Sequence, residues 1–255
     1  MTAATQPRVA LFVTCLIDAL RPSVGFAALR LLERAGVHPQ VPSAQTCCGQ
    51  PAYNHGDLET ARGIARQVID VFDGFEYVIL PSGSCAGMLK RHYPMLFAED
   101  PVWAERARAF AARVVELSQY LTQRGVEIDA TYHGTAAYHD SCSSLRELGV
   151  RNEPRALLEQ VTGLTLKGLA EPEVCCGFGG SFSVEYPDIS TRLVSDKAAD
   201  VRATGANTLL AGDLGCLLHI AGRLQREGSA IRVFHYAEII AGMGDGPAIG
   251  EPSGA

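Results

Sequence analysis

All eight cysteines of this 255-residue chain fall into two sets of the same layout. Cys47 and Cys48 are adjacent and followed by Gly49, and Cys175 and Cys176 are adjacent and followed by Gly177. One lone cysteine precedes each pair and one follows it: Cys15 and Cys85 in the first set, Cys142 and Cys216 in the second. Packing explains this poorly, because a buried thiol acts as a small hydrophobe that requires neither an adjacent twin nor glycine beside it. Glycine reaches positive φ and lets the backbone approach a ligand closely. The run Gly177-Phe178-Gly179-Gly180 can therefore curl and aim thiols and N–H groups inward. Thiolates around an anionic metal centre are the chemistry that such a loop suits.

Two other uses of the cysteines compete with this one. Structural Cys₄ zinc sites employ the same donors, but their ligands usually sit in local Cys-x₂₋₄-Cys knuckles, which neither set contains. Disulfides fit less well, because adjacent cysteines bridge badly with each other. The apolar run Val9–Leu16 has only Arg8 as a basic residue just before it, and Asp18 and Arg21 follow at once, so it reads as a buried strand and not as a secretory signal. Eight cysteines without such a signal point to metal or redox chemistry in a reducing compartment, and the expected location is cytoplasmic. A net charge of −6 argues against nucleic acid or an anionic membrane surface as partner. No stretch has the roughly 18 apolar residues of a membrane span.

The elements that must position these thiols recur in order. Arg8–Thr14 reads as a strand, 25–35 as a helix, His38–Val41 as a short strand, Leu58–Phe72 as a helix and Tyr77–Leu80 as a strand. Residues 86–113 read as helical with a break near Pro94–Pro101, then Val114 and Val115 as a strand and Leu117–Arg124 as a helix. The series returns with a strand over 135–139, a helix over 154–161, a strand over 164–166, a helix over 189–203 and a strand over 207–211. A helix over 217–226, a strand over 231–234 and a helix over 237–241 complete it. This alternation predicts an α/β fold of parallel βαβ units. The repeated order predicts two homologous halves, 1–130 and 131–242, related by a pseudo-twofold axis, with 243–255 a flexible tail. The spacings agree closely but not fully: 32 and 33 positions from the first lone cysteine to the pair, then 37 and 40 to the last. In both halves the cysteines are expected in loops that follow a predicted strand or precede a helix. Ligands of open α/β sheets collect at the carboxyl ends of strands, so one site per half is expected.

These motifs resemble the cysteine-rich CCG-domain proteins, whose pattern is a lone Cys, Cys-Cys-Gly about thirty residues on, and a closing Cys. The stretches that carry the likeness are Val9–Leu16, Cys47–Asn54, Pro81–Cys85, Cys175–Val184 and Gly215–Leu224. The family includes the heterodisulfide reductase B subunit and iron–sulfur subunits of glycolate, glycerol-3-phosphate and three-subunit cytosolic L-lactate-oxidising systems. The resemblance implies an iron–sulfur electron-transfer subunit with lactate utilization B-like and C-like partners. It implies two [4Fe–4S] clusters, one on Cys15, Cys47, Cys48 and Cys85, the other on Cys142, Cys175, Cys176 and Cys216. The heterodisulfide reductase pattern closes with Cys-x-x-Cys, whereas Ser82 and Asp213 stand here three residues before Cys85 and Cys216. That departure weakens the case for a five-cysteine cluster and for disulfide-cleaving catalysis. Ser82 and Asp213 are expected instead as loop formers or helix N-caps.

Other residues read less sharply. His139 and Asp140 precede Cys142 and form either a proton-handling pair or a buried polar pair at a strand end. His55, His133, His219 and His235 carry no spacing signal, and Tyr53, Asn54, Phe178, Phe182 and Tyr186 either wall the site from water or pack the core. The glycine loop lacks the Gly-x-Gly-x-x-Gly spacing of a dinucleotide site.

Overall fold

The structure is a computed structural model and describes residues 7–252. Strands β1 (Val9–Leu11), β2 (Tyr77–Leu80) and β3 (Val114–Glu116) form a parallel sheet in the order β1-β2-β3. Strands β4 (Thr131–His139), β5 (Thr162–Lys167), β6 (Thr208–Ala211) and β7 (Arg232–His235) form a second parallel sheet in the order β5-β4-β6-β7. The expected α/β architecture of parallel units is present. The expected strand at 38–41 is reduced to one bridge, Gln40 to Ala10, on the edge where the second half has β5. Pro39 and Pro42 flank Gln40 and lack the N–H groups that a longer ladder needs.

The first-half helices are α1 (Cys15–Leu20), α2 (Pro22–Arg34), α3 (Gln50–Asn54), α4 (Leu58–Val71), α5 (Gly83–Gly87), α6 (Tyr93–Leu96), α7 (Pro101–Arg113) and α8 (Leu117–Gln123). A π-helical turn, Met88–His92, joins α5 to α6. The second half carries α9 (Cys142–Leu148), α10 (Asn152–Leu158), α11 (Phe182–Glu185), α12 (Pro187–Ala203), α13 (Leu214–Arg226) and α14 (Tyr236–Ile240). Two boundaries differ from the sequence expectation in ways that matter. Residues 142–148 are helical, and α13 starts at Leu214, so Cys142 and Cys216 lie in first helical turns and not in loops.

Strand alternation explains the packing. Leu11, Ile79, Ala136, Tyr138, Leu210 and Phe234 face a central core shared by both halves, together with α2, α8, α10 and α14. Their neighbours Ala10, Val78 and Leu80 face a separate outer core under α4 and α7, and Ala137, Leu209 and Val233 face another under α12 and α13. Period-two alternation thus buries both faces of both sheets.

The contacts between halves come in matching pairs. Helix α2 packs on α14, and their counterparts α10 and α8 pack on each other. Helix α5 packs on α9, and their counterparts α13 and α1 do likewise. Each contact therefore has its image under exchange of the halves, the relation that a pseudo-twofold axis produces. The stretch after residue 242 reads as flexible, yet residues 243–252 pack back on the second sheet. Ala248 and Ile249 are buried, Ile249 N–H donates to the Val233 carbonyl at 2.9 Å, and Arg21 donates to the Pro247 carbonyl at 2.8 Å. Small apolar residues among the glycines supply that anchor; 253–255 lie outside the described residues.

Candidate metal centre

Cys15 and Cys142 open α1 and α9, and Cys85 and Cys216 lie in the first turns of α5 and α13. The adjacent pairs occupy the loops ahead of α3 and α11. Because α5 packs on α9 and α13 on α1, all eight thiols reach one cavity of about 440 Å³ between the halves. The sequence suggests one site per half; the fold sets both cysteine sets into the walls of a common cavity.

In the first set, Cys15 Sγ lies 3.8 Å from Cys47 Sγ, and Cys48 Sγ lies 3.3 Å from Cys85 Sγ. Gly49, at φ 79°, turns its N–H onto Cys47 Sγ at 3.4 Å. The buried Tyr93 hydroxyl donates to the Cys48 carbonyl at 2.9 Å and pins the loop from behind. Hydrogen bonds from the Cys15 and Cys48 thiols, with help from the Gly49 N–H, hold Cys47 far below the usual thiol range. Donation to Cys47, and then burial, push Cys15 up. A bound cation would displace the thiol protons that these hydrogen bonds use.

The second set repeats the arrangement. Gly177, at φ 82°, directs its N–H to Cys175 Sγ at 3.3 Å, and Cys175 is lowered first by its bond from the Cys142 thiol. Ser190 Oγ donates to the Gly177 carbonyl at 2.8 Å, the same pinning that Tyr93 performs in the other half. A Cβ on Gly177 would stand 2.8 Å from the Ser190 carbonyl oxygen, so the loop requires glycine both for its φ and for this approach. Asp140 is buried and takes two hydrogen bonds from Arg155, at 2.8 and 2.6 Å. It is therefore engaged away from His139, whose ring nitrogens have no partner among the described residues.

Of the residues thought to wall the site, Tyr53, Asn54 and Phe178 line the cavity, while Phe182 and Tyr186 pack on each other outside it at 5.4 Å. His55 forms a surface pair with Glu185 at 2.9 Å, His219 meets Ser190 at 3.2 Å, and His235 accepts from the Ala237 N–H as the N-cap of α14. Tyr93 and Ser190 carry no local signal in the sequence. Tyr93 supports its loop from a helix 45 residues on and Ser190 from α12, shortly after its loop, and neither residue type marks the role.

The donor set suits a thiolate-bound metal or iron–sulfur group. Each set offers four thiols, a backbone N–H directed at sulfur, and two buried cysteines backed by apolar side chains. Fold and cysteine pattern together define the class: the chain belongs to the CCG cysteine-rich domain family, matched over residues 9–90 and 136–221, which include both sets. More particularly, it is homologous to proteins named Lactate utilization protein A. It is 45% identical to the one from Bacillus cytotoxicus over 235 residues, 91% of this chain and 98% of that one. It is 46% identical to the one from Exiguobacterium sp. over 239 residues, 92% of this chain and 97% of that one. In shape it is similar to a hypothetical protein from Helicobacter pylori, with a TM-score of 0.68 at 12% identity, over 98% of this chain and 50% of that chain; this is a likeness of fold. Among the described residues, no helix is long and apolar enough to cross a membrane.

Proposed function

We propose that this protein is an electron-transfer subunit of an L-lactate-oxidising system, working with lactate utilization B-like and C-like subunits. Its Cys15, Cys47, Cys48 and Cys85 would hold one [4Fe–4S] cluster, and Cys142, Cys175, Cys176 and Cys216 another. The observation that carries this reading is the delivery of all eight cysteines, as two complete four-thiol sets, to one cavity. When bound, such clusters accept and release single electrons. The protein's own contribution is to hold the thiols, to shield Cys48, Cys85, Cys176 and Cys216 from water, and to place the Gly49 and Gly177 N–H groups against sulfur. The homology to Lactate utilization protein A supports the substrate system.

A second reading draws on a specific distance. The Cys15–Cys47 sulfur separation of 3.8 Å equals the edge of a tetrahedron with 2.3 Å metal–sulfur bonds, about 3.8 Å, which suits a single zinc ion, while the Cys48–Cys85 separation of 3.3 Å is shorter. Anaerobic purification with metal analysis separates the two readings. The iron–sulfur reading expects brown protein with roughly eight iron atoms per chain. Colourless protein with stoichiometric zinc, even after anaerobic reconstitution with iron and sulfide, would overturn it.

A further inference from the structure

His139 ends β4 three residues before Cys142 and is fully buried. Among the described residues neither of its ring nitrogens has a hydrogen-bond partner. A buried donor without a partner is rare in a folded protein and asks for an absent one. The His139 ring, Cys176 Sγ and Cys216 Sγ bring their ligand atoms within 4.8 Å of one another. The orphaned ring therefore lies against two of the four thiols that would hold a bound group, behind the cavity wall that these thiols form.

The first half has no such feature. The residue three before Cys15 is Phe12, which stacks on Phe72 at 5.2 Å. The buried positions Ala61, Ala65, Val68, Ile69 and Phe72 match Ser190, Val194, Lys197, Ala198 and Val201 in spacing, so Lys197 stands where the first half has Val68. The Lys197 side chain is fully buried, donates to the Glu171 carbonyl and lies 3.7 Å from Asp200. Its charge acts on both His139 and Cys176. An apolar pair behind the first set is thus replaced by an imidazole and an ammonium behind the second.

We propose that His139 donates a ring N–H to the Cys176 or Cys216 sulfur when a group is held by Cys142, Cys175, Cys176 and Cys216, and that Lys197 adds its charge nearby, so that the second site is the more readily reduced. The inference rests on the reading of both sets as iron–sulfur sites. Four thiolates already complete the usual ligand set, which leaves His139 the role of donor. Reduction adds negative charge, and a nearby N–H dipole or cation stabilises the reduced form more than the oxidised one. Phe12 and Val68 offer neither.

The test is a redox titration of the full chain prepared without oxygen, followed by absorbance and electron paramagnetic resonance, with iron counted in every sample. Wild type should show two midpoints, and Cys48→Ala, which keeps the second set intact, should retain the higher. His139→Phe should lower that midpoint, changing its reduction equilibrium at least tenfold, about 59 mV for one electron, and leave the lower midpoint unmoved. Lys197→Met should shift the same midpoint in the same direction, and it decides the matter if His139→Phe does not fold. Wild-type protein without iron would remove the iron–sulfur reading and this inference with it. Full iron with both midpoints unchanged in the variants would overturn the role of His139 and Lys197 alone. Loss of iron from folded His139→Phe would make His139 a ligand and overturn its role as donor.

Discussion

Asp213 Oδ2 accepts a 2.9 Å hydrogen bond from the backbone N–H of Ser84, across the boundary between the two halves. Asp213 stands at the N-cap position of α13 but makes no side-chain bond to its own helix. Its carboxylate serves α5 instead, and the Ser82 hydroxyl donates to the same oxygen at 3.4 Å. Ser82 in turn accepts from the Cys85 N–H at 3.5 Å, a long bond. The two residues that stand where a related pattern has cysteine are thus spent on fixing the helix that carries Cys85.

Asp213→Ala should therefore destabilise the protein by about 1.5–3 kcal/mol, the range for a hydrogen bond to a charged group. Ser82→Ala should cost only about 0.5 kcal/mol, the low end for a lost cap. Denaturant unfolding measures both, and neither variant should lose iron. If folded Asp213→Ala loses half its iron, its carboxylate is a ligand and the four-thiolate assignment of the second set is wrong.

On the proposed assignment the two cysteine sets share a cavity but no ligand. Cys176→Ala should halve the iron content and leave the spectrum of the first set, and Cys48→Ala should do the reverse. Iron analysis of folded variants checks this; loss of all iron from either one would show that the sets depend on each other.

Gly83 marks the close contact of α5 with α9. A Cβ there would lie 2.8 Å from Ser144 Cβ and 3.1 Å from Ser144 Cα. Gly83→Ala should cost about 1–3 kcal/mol through overpacking. Gly222 in α13 has nothing within 4 Å of such an atom, and Gly222→Ala should stabilise by about 0.5–1 kcal/mol. Thermal or denaturant midpoints of the pair give the comparison, and equal effects would show that the α5–α9 contact is looser than drawn.

Burial lowers His235 to about 4 from 6.5, with the Arg21 charge adding slightly. The imidazole is neutral in the fold, so at pH 7 it imposes no penalty. As pH falls from 6.5 to 4 the unfolded chain binds the proton first, and stability declines by about 3 kcal/mol from this group. His235→Asn keeps a capping acceptor and should flatten the stability profile between those two pH values. Unfolding free energies measured across that window check the slope, and parallel profiles for the two proteins would count against it.

Much of this arrangement is legible in the sequence because its signals are local. The apolar runs Val78–Leu80 and Thr208–Ala211, the helical spacing of Leu58–Val71 and the cysteine sets need only nearby residues to be read. The strand expected at 38–41 fails for a local reason as well, the two prolines around Gln40. Helix α9 escapes because Cys-Ser-Ser-Leu-Arg-Glu-Leu has a weak apolar face; Ser141 caps it through the Ser144 N–H, and its contact with α5 supports it. The common cavity, the pinning by Tyr93 and the exchange of Asp213 between halves depend on contacts between distant segments. No window of sequence contains them.

Exposure within the first set is graded: Cys15 is open to solvent, Cys47 is partly covered, and Cys48 and Cys85 are buried. The second set has no cysteine as open as Cys15. With the proposed clusters bound, damage in air should consequently begin at one corner of one site, at the metal that Cys15 would hold. A charged alkylating reagent added as the protein ages would record that order, labelling Cys15 before Cys48 or Cys85. Early labelling of Cys176 or Cys216 would place the weak corner in the other half. The durability of the whole assembly, in this view, is set by the single thiol that opens α1.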